Sequence, residues 1–309
     1  MRKLSSKIIE KMLNLETYLN HRIRGQEHAL SRIAKVIRRC EFGYITPFEP
    51  LSSFLLFGPT GVGKTETCRV LAEYLYGDVD KLIRFDMSEF MELDTGRLFL
   101  ERMDYYTRDL EDQGGIILFD EMEKAHPDIL MYFLQILSAG RLTYHDHRTG
   151  DLSKFYLVFT SNLGTELLVD IQSEKFPFSA LERAVITRAK NELRPEFFHR
   201  IKNHLVYRRL DYDIQREIAS MYLGQETENW GVKNFKKECL ELVIRKGIDV
   251  RGGARPLKGM IEDEVRDALT DAALEGKLPK HPQLIEQDYK LKVLKETGKN
   301  PDCGIKELK

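Results

Sequence analysis

No apolar run in this 309-residue chain approaches the roughly eighteen residues that a bilayer crossing requires, so no transmembrane helix is expected. Cysteine is sparse and scattered: Cys40, Cys68, Cys239 and Cys303 form neither a CxxC pair nor a metal-ligand spacing with histidine. They give no basis for a disulfide framework or a zinc module, and they fit a reducing cytoplasm. Neither sign of charge is in excess, with 48 Lys+Arg against 49 Asp+Glu. The chain therefore lacks the bulk electrostatic signature of a partner for nucleic acid or an anionic membrane. Internal repeats and low-complexity tracts are also missing. The N-terminal MRKLSSKIIEKMLNLETYL begins basic, but Glu10 and Lys11 break the apolar stretch that a signal peptide needs, so an amphipathic helix is expected. His145 and His147 form a lone HxH in a polar loop, without a Cys or carboxylate spaced to share a metal, and solvation is its expected fate.

What is present is ordered. A 42% hydrophobic composition over this length supports a full core and, on length alone, two domains. Short apolar runs recur: Phe54 to Phe57 before a glycine-rich turn, Leu82 to Phe85 before Asp86, Ile116 to Phe119 before Asp120, and Phe155 to Thr160 before Ser161-Asn162. Runs this short and continuous suit strands buried on both faces. Between them, Glu66 to Tyr76 and Asp128 to Leu137 carry apolar residues at helical spacing, with Pro127 placed to start a helix. Strands alternating with helices predict an α/β fold, a parallel sheet sandwiched by helices. Beyond about Leu210 the pattern becomes mainly helical, over Asp213 to Leu223, Asn234 to Lys246 and Ala254 to Leu274. The expected organisation is an N-terminal helical extension (1–22), an α/β nucleotide domain (23–209), a small C-terminal domain (210–292) and a loose tail (293–309).

Gly58-Pro59-Thr60-Gly61-Val62-Gly63-Lys64-Thr65 satisfies GxxxxGK[ST] between a buried strand and a helix. Glycines let the backbone curl so that N–H groups converge, and the helix N-terminus adds positive potential for phosphate. Lys64 is the expected phosphate ligand for ATP and Thr65 the Mg²⁺ ligand. Asp120 ends a buried strand at the carboxyl edge of the sheet, where α/β proteins bind ligands, and is placed to orient Mg²⁺. Glu121, next in the chain, is placed to polarise an attacking water. Asn162 ends another strand and is expected beside Asp120, although an Asn there, taken alone, is more often a turn residue.

GPTGVGKTE, RFDMSEFME, LFDEMEKAHPDIL, QILSAGRLT, FTSNLG, LRPEFFHRI and GGARPLK, in this order, resemble the AAA+ ATPases of the Clp chaperone family. The likeness runs from about Ile23 to Leu278 and is to the second ATPase module of ClpB and ClpA. It implies a P-loop α/β domain followed by a lid domain, with ATP between them and six subunits in a ring. It also implies roles: Ile23 and Gln26 in the segment that contacts adenine, Asp120 and Glu121 as the Walker B pair, and Asn162 as the first sensor. Arg200 is implied as the finger that reaches a neighbouring subunit's γ-phosphate, and Arg255 as the second sensor.

The chain departs from that family in three ways. It matches one ATPase module, without the N-terminal domain and first module of a full Clp disaggregase. No Ile-Gly-Phe or Leu-Gly-Phe tripeptide is present, so a ClpP-type peptidase is not an expected partner. The Gly-Tyr-Val-Gly that grips polypeptide in the pore of relatives is also missing, and only 34 positions separate Asp86 from Asp120. TGRLFLERMDYYTRD, Thr95 to Asp109, occupies that place with no simple hydrophobic period. Phe99, Tyr105 and Tyr106 are its candidate client contacts, with packing against the core as the competing reading. A second loop, Tyr144 to Gly150, is also expected to face the pore. The expected function is ATP-driven remodelling of a protein client in a cytoplasmic ring. A nucleotide-gated switch that binds a dedicated partner is the alternative, and a DNA-associated loader is a third class that lacks a recognisable DNA motif.

Overall fold

The computed structural model describes residues 6–170, 175–232, 234–248, 252–276, 279–280 and 282–294. They form two compact units divided between Asp211 and Tyr212, with the Gly252-Gly253 pair counted in the first. The tail expected from 293 lies, beyond Leu294, outside the described residues.

In the first unit α1 (Ser6–Arg22) and α2 (Glu27–Glu41) lead into β1 (Ser52–Phe57) and α3 (Lys64–Tyr76). β2 (Leu82–Asp86), α4 (Thr95–Thr107), β3 (Gly115–Asp120) and α5 (Ile129–Ala139) follow. A hairpin of β4 (Arg141–Thr143) and β5 (Thr149–Asp151) precedes β6 (Phe155–Ser161), α6 (Glu166–Val169), α7 (Phe178–Glu192), α8 (Pro195–Arg200) and β7 (Asn203–Val206). The sheet runs β2-β3-β6-β1-β7 with every pairing parallel. β1, β3 and β6 are buried at every position, as strands covered on both faces must be. Edge strand β2 instead exposes Arg84. β7 escapes the sequence reading because Asn-His-Leu-Val is short and half polar.

The N-terminal helix is fastened to α3. Arg22 pairs with Glu73 at 3.1 Å, Tyr74 Oη donates to the Lys11 carbonyl at 2.6 Å, and Lys11 Nζ donates to the Leu75 carbonyl at 3.0 Å.

The structure overturns the irregular reading of Thr95 to Asp109. Most of it is α4, whose buried residues Phe99, Leu100, Met103 and Thr107 recur at helical spacing. Leu98, Tyr105 and Tyr106 on the outer face are exposed and hide that period from a count of apolar residues. Phe99 is therefore not a client contact. It is fully buried, with ring neighbours Phe85, Phe90, Phe119, Tyr132 and Phe133 at 5.5 to 6.2 Å. Tyr105 and Tyr106 remain accessible, at 78% and 49% exposure. The 144–150 loop is the tip of the β4–β5 hairpin, and α4 holds it. Tyr144 is buried with its hydroxyl 3.1 Å from Thr107 Oγ1, and Arg148 lies over the Tyr144 ring while pairing with Asp104 and Glu111.

The second unit packs α9 (Tyr212–Asn229), α10 (Lys237–Gly247) and α11 (Arg255–Leu274) with a small sheet. That sheet, of order β10-β9-β8, comprises β8 (Asn234–Phe235), β9 (Gln283–Gln287) and β10 (Lys290–Val293). Leu223, Leu242, Val243, Leu257, Ile261, Val265 and Leu284 fill its core. Asp288 and Tyr289, both at positive φ, make the two-residue turn between β9 and β10. Val293 is buried in β10, so the expected start of the tail at 293 falls inside a strand. Among the described residues no helix is long and apolar enough to cross a membrane.

Truncating Phe99 to Ala removes a ring from this core and is expected to cost about 3–5 kcal/mol in denaturant unfolding. Tyr105→Ala is expected to change stability by no more than about 0.5 kcal/mol, as an exposed site should. Equal losses would contradict the assignment of faces on α4.

Candidate functional site

The loop between β1 and α3 is shaped from behind. Gly58 has φ +150°, and a Cβ there would come within 2.8 Å of Tyr207 Cβ. Only glycine allows β7 to approach the loop this closely. Tyr207 N donates to the Phe57 carbonyl at 2.7 Å and its hydroxyl donates to Thr67 Oγ1 at 3.0 Å, which locks the strand exit to α3. Gly63, at φ +104°, precedes the first residue of α3, and a Cβ there would press on Ile23 at 3.3 Å.

Gln26 stands behind the same loop. It is fully buried and its amide is committed to backbone: Nε2 donates to Val62 O at 3.3 Å and Arg208 O at 2.9 Å, and Oε1 accepts from Arg208 N at 2.9 Å. A side chain so engaged braces the loop.

Lys64 Nζ lies inside the loop, donating to the carbonyls of Gly58 and Pro59 and, at 3.0 Å, to Asn162 Oδ1. Thr65 Oγ1 sits 3.3 Å from Asp120 Oδ2. Asp120 is buried and its other oxygen accepts from Thr160 Oγ1. Asn162 Nδ2 donates to Glu121 Oε1 at 3.3 Å, and Lys124 pairs with Glu121 Oε2 at 2.5 Å. That carboxylate raises the Lys124 pKa. The adjacent ends of β3 and β6 thus bring Asp120, Glu121 and Asn162 to the Lys64-Thr65 turn at the N-terminus of α3, an end of a helix that favours anions. Glu121 has φ 57°, a left-handed conformation unusual for its residue type, so the chain turns sharply as it leaves β3. Cys68 is no competing nucleophile, because complete burial pushes its thiol pKa well up.

Residues 49–204 match the family model of the AAA domain (Cdc48 subfamily), half of the chain. The chain belongs to that AAA family. Residues 210–286 of this AAA protein also match the C-terminal D2-small domain of ClpB protein. It is 34% identical over 290 residues to chaperone protein ClpB 1 of Synechococcus elongatus, covering 89% of this chain and 33% of that relative. It is 35% identical over 297 residues to the ATP-dependent Clp protease ATP-binding subunit ClpC of Staphylococcus epidermidis, covering 89% and 36%. A ClpC/MecB of Bacillus subtilis, a negative regulator of genetic competence, is 35% identical over 307 residues, covering 92% and 38%. The chain thus spans about a third of the length of these relatives, 33% to 38%.

The two candidate arginines belong to other elements. Arg200, exposed at the end of α8, donates from Nη1 to Ser138 Oγ at 2.5 Å on α5. Arg255 opens α11 of the second unit.

Three contributors went unnoticed in the sequence. Arg84 Nη2 is 2.7 Å from Asp120 Oδ2, Thr160 binds both Asp120 and Glu121 N, and Glu123 Oε1 accepts from Asn162 N at 2.9 Å. Strand register was the signal for two of them. Asp86 pairs with Asp120, so Arg84, two residues back on β2, shares a face with it, and Thr160 lies one residue beyond the Phe119↔Phe159 pair.

Arg84→Met removes the guanidinium from a buried carboxylate and leaves only hydroxyl partners. The expected loss is about 1–3 kcal/mol of unfolding free energy, measured without nucleotide or metal. An unchanged denaturation midpoint would contradict this pairing.

Proposed function

We propose that this AAA module hydrolyses ATP with Mg²⁺ in a ring oligomer and couples turnover to remodelling a protein client. The observation that carries the reading is the convergence of Lys64, Thr65, Asp120, Glu121 and Asn162 at one end of the sheet. Lys64 already contacts three oxygens inside the loop, so phosphate oxygens can replace these acceptors without a large movement of the side chain. Thr65 and Asp120 present hard oxygen donors to one another across 3.3 Å, the chemistry Mg²⁺ selects. When bound, Mg²⁺ neutralises charge on the phosphates.

Glu121 is the proposed base. Its carboxylate lies beside the Asn162 amide, and together they can hold a water and accept its proton as the water attacks the γ-phosphorus. Arg200 faces away from these contacts and is the proposed contribution to a neighbour's site, a role worth about 10³–10⁵ in rate in related phosphoryl transfers. Arg255 is proposed to report the γ-phosphate to the second unit.

The alternative, a nucleotide-gated switch that does not thread its partner, draws on one observation. The segment in the place of a gripping loop is the packed helix α4, with only Tyr105 and Tyr106 outward among the three aromatic candidates. Loss of fluorescence from a tagged fluorescent protein separates the two readings, because threading unfolds it and a switch leaves it folded.

Glu121→Gln preserves the shape of the side chain but removes the base and its charge. It is expected to bind ATP as the wild type does while turnover falls by about 10²-fold or more. A variant that hydrolyses within twofold of wild type would sink this assignment.

A further inference from the structure

Four large apolar side chains stand in solvent within the connection from α2 to β1: Phe42, Tyr44, Ile45 and Phe48, at 39%, 71%, 45% and 84% exposure. Single exposed apolar residues are ordinary, but such a cluster marks an interaction surface. Phe48 is the sharpest member. Its backbone has φ +62°, a conformation unfavourable for a bulky residue, and yet its ring is almost fully exposed.

The loop is held, not dangling. Tyr44 N donates to the Arg39 carbonyl at 3.0 Å, Glu49 pairs with Lys202 at 2.7 Å, and the Phe48 carbonyl lies where a Cβ on Gly140 would come within 3.0 Å of it. A fixed base therefore presents the rings outward in one arrangement, which lowers the entropy lost on docking.

These anchors identify the face. Gly140 caps α5, and Ser138, two residues earlier on that helix, accepts the hydrogen bond from Arg200. Lys202, two residues beyond Arg200, is the partner of Glu49. The aromatic loop and Arg200 thus occupy one corner of the first unit. An exposed arginine contributes little affinity by itself, whereas buried aromatics near the centre of a contact contribute much of it. Head-to-tail rings need such a patch on one side of every subunit.

Resting on the reading of Arg200 as a residue that works in a neighbouring site, we propose that Phe42, Tyr44, Ile45 and Phe48 form the apolar part of that same subunit contact, and that their occupant is a second copy of this chain. Arg200 supplies the chemistry across the interface, and the aromatic loop supplies the affinity that keeps it there.

The test compares full-length Glu121→Gln with the same chain also carrying Tyr44→Ser and Phe48→Gly, by sedimentation velocity over a concentration series with ATP and Mg²⁺. Glycine relieves the positive φ at 48, so the added changes are expected to leave thermal unfolding of the unassembled chain no lower. The assembly midpoint is expected to move to at least tenfold higher concentration, with Tyr44→Ser alone giving a smaller shift in the same direction. Assembly of both variants at the parent's midpoint overturns the proposal and leaves the ring reading intact. A parent that stays monomeric throughout overturns the ring reading and this proposal together.

Discussion

Asp120 is a buried carboxylate at the end of a buried strand, and the need to compensate its charge organises the neighbouring elements. Thr65 reaches it from α3, Thr160 from β6 and Arg84 from β2, so one side chain joins the loop helix to two adjacent strands. Parallel pairing puts all of these groups at the carboxyl end of the sheet, and the sharp turn at Glu121 then aims the next carboxylate at Asn162. Geometry at the site is therefore a consequence of strand register before it is a matter of individual side chains.

Behind the site, an aromatic core makes that register rigid. Phe85, Phe119 and Phe159, from three adjacent strands, stack across the sheet at ring separations of 5.0 to 5.6 Å. Phe99 and Phe133 cover them from α4 and α5. Because α4 also ties down the β4–β5 hairpin through Thr107 and Asp104, a displacement at the end of β3 has packed neighbours through which to reach that hairpin.

The central strands and the phosphate loop were legible in the sequence because both signals are local. Three continuous apolar runs and a fourth interrupted only by Arg84, alternating with helical segments, suit buried strands, and the spacing of Gly58, Gly63, Lys64 and Thr65 is fixed by the loop itself. What stayed hidden depends on partners distant in sequence. That the Gln26 amide braces the loop is visible only once Val62 and Arg208 are seen beside it. Arg84 reads as a polar break in a strand until β2 and β3 are paired. α4 was hidden for the opposite reason: its outer face carries aromatics of its own, so burial of Phe99 and exposure of Tyr105 look alike in composition.

Arg200 and the exposed loop are the proposed links from one chain to an assembly. Lys64, Asp120, Glu121 and Asn162 converge within the first unit, whereas Arg200 hydrogen-bonds on a separate surface. On the proposed reading Arg200 completes a neighbour's site, and such a site works only when subunits meet. The most direct measurement is therefore the steady-state ATPase rate per subunit of the wild-type chain over a wide concentration series with Mg²⁺. The account requires turnover that rises steeply with concentration to a plateau. No turnover at any concentration, or a rate per subunit independent of concentration down to conditions where the chain is monomeric, would contradict it.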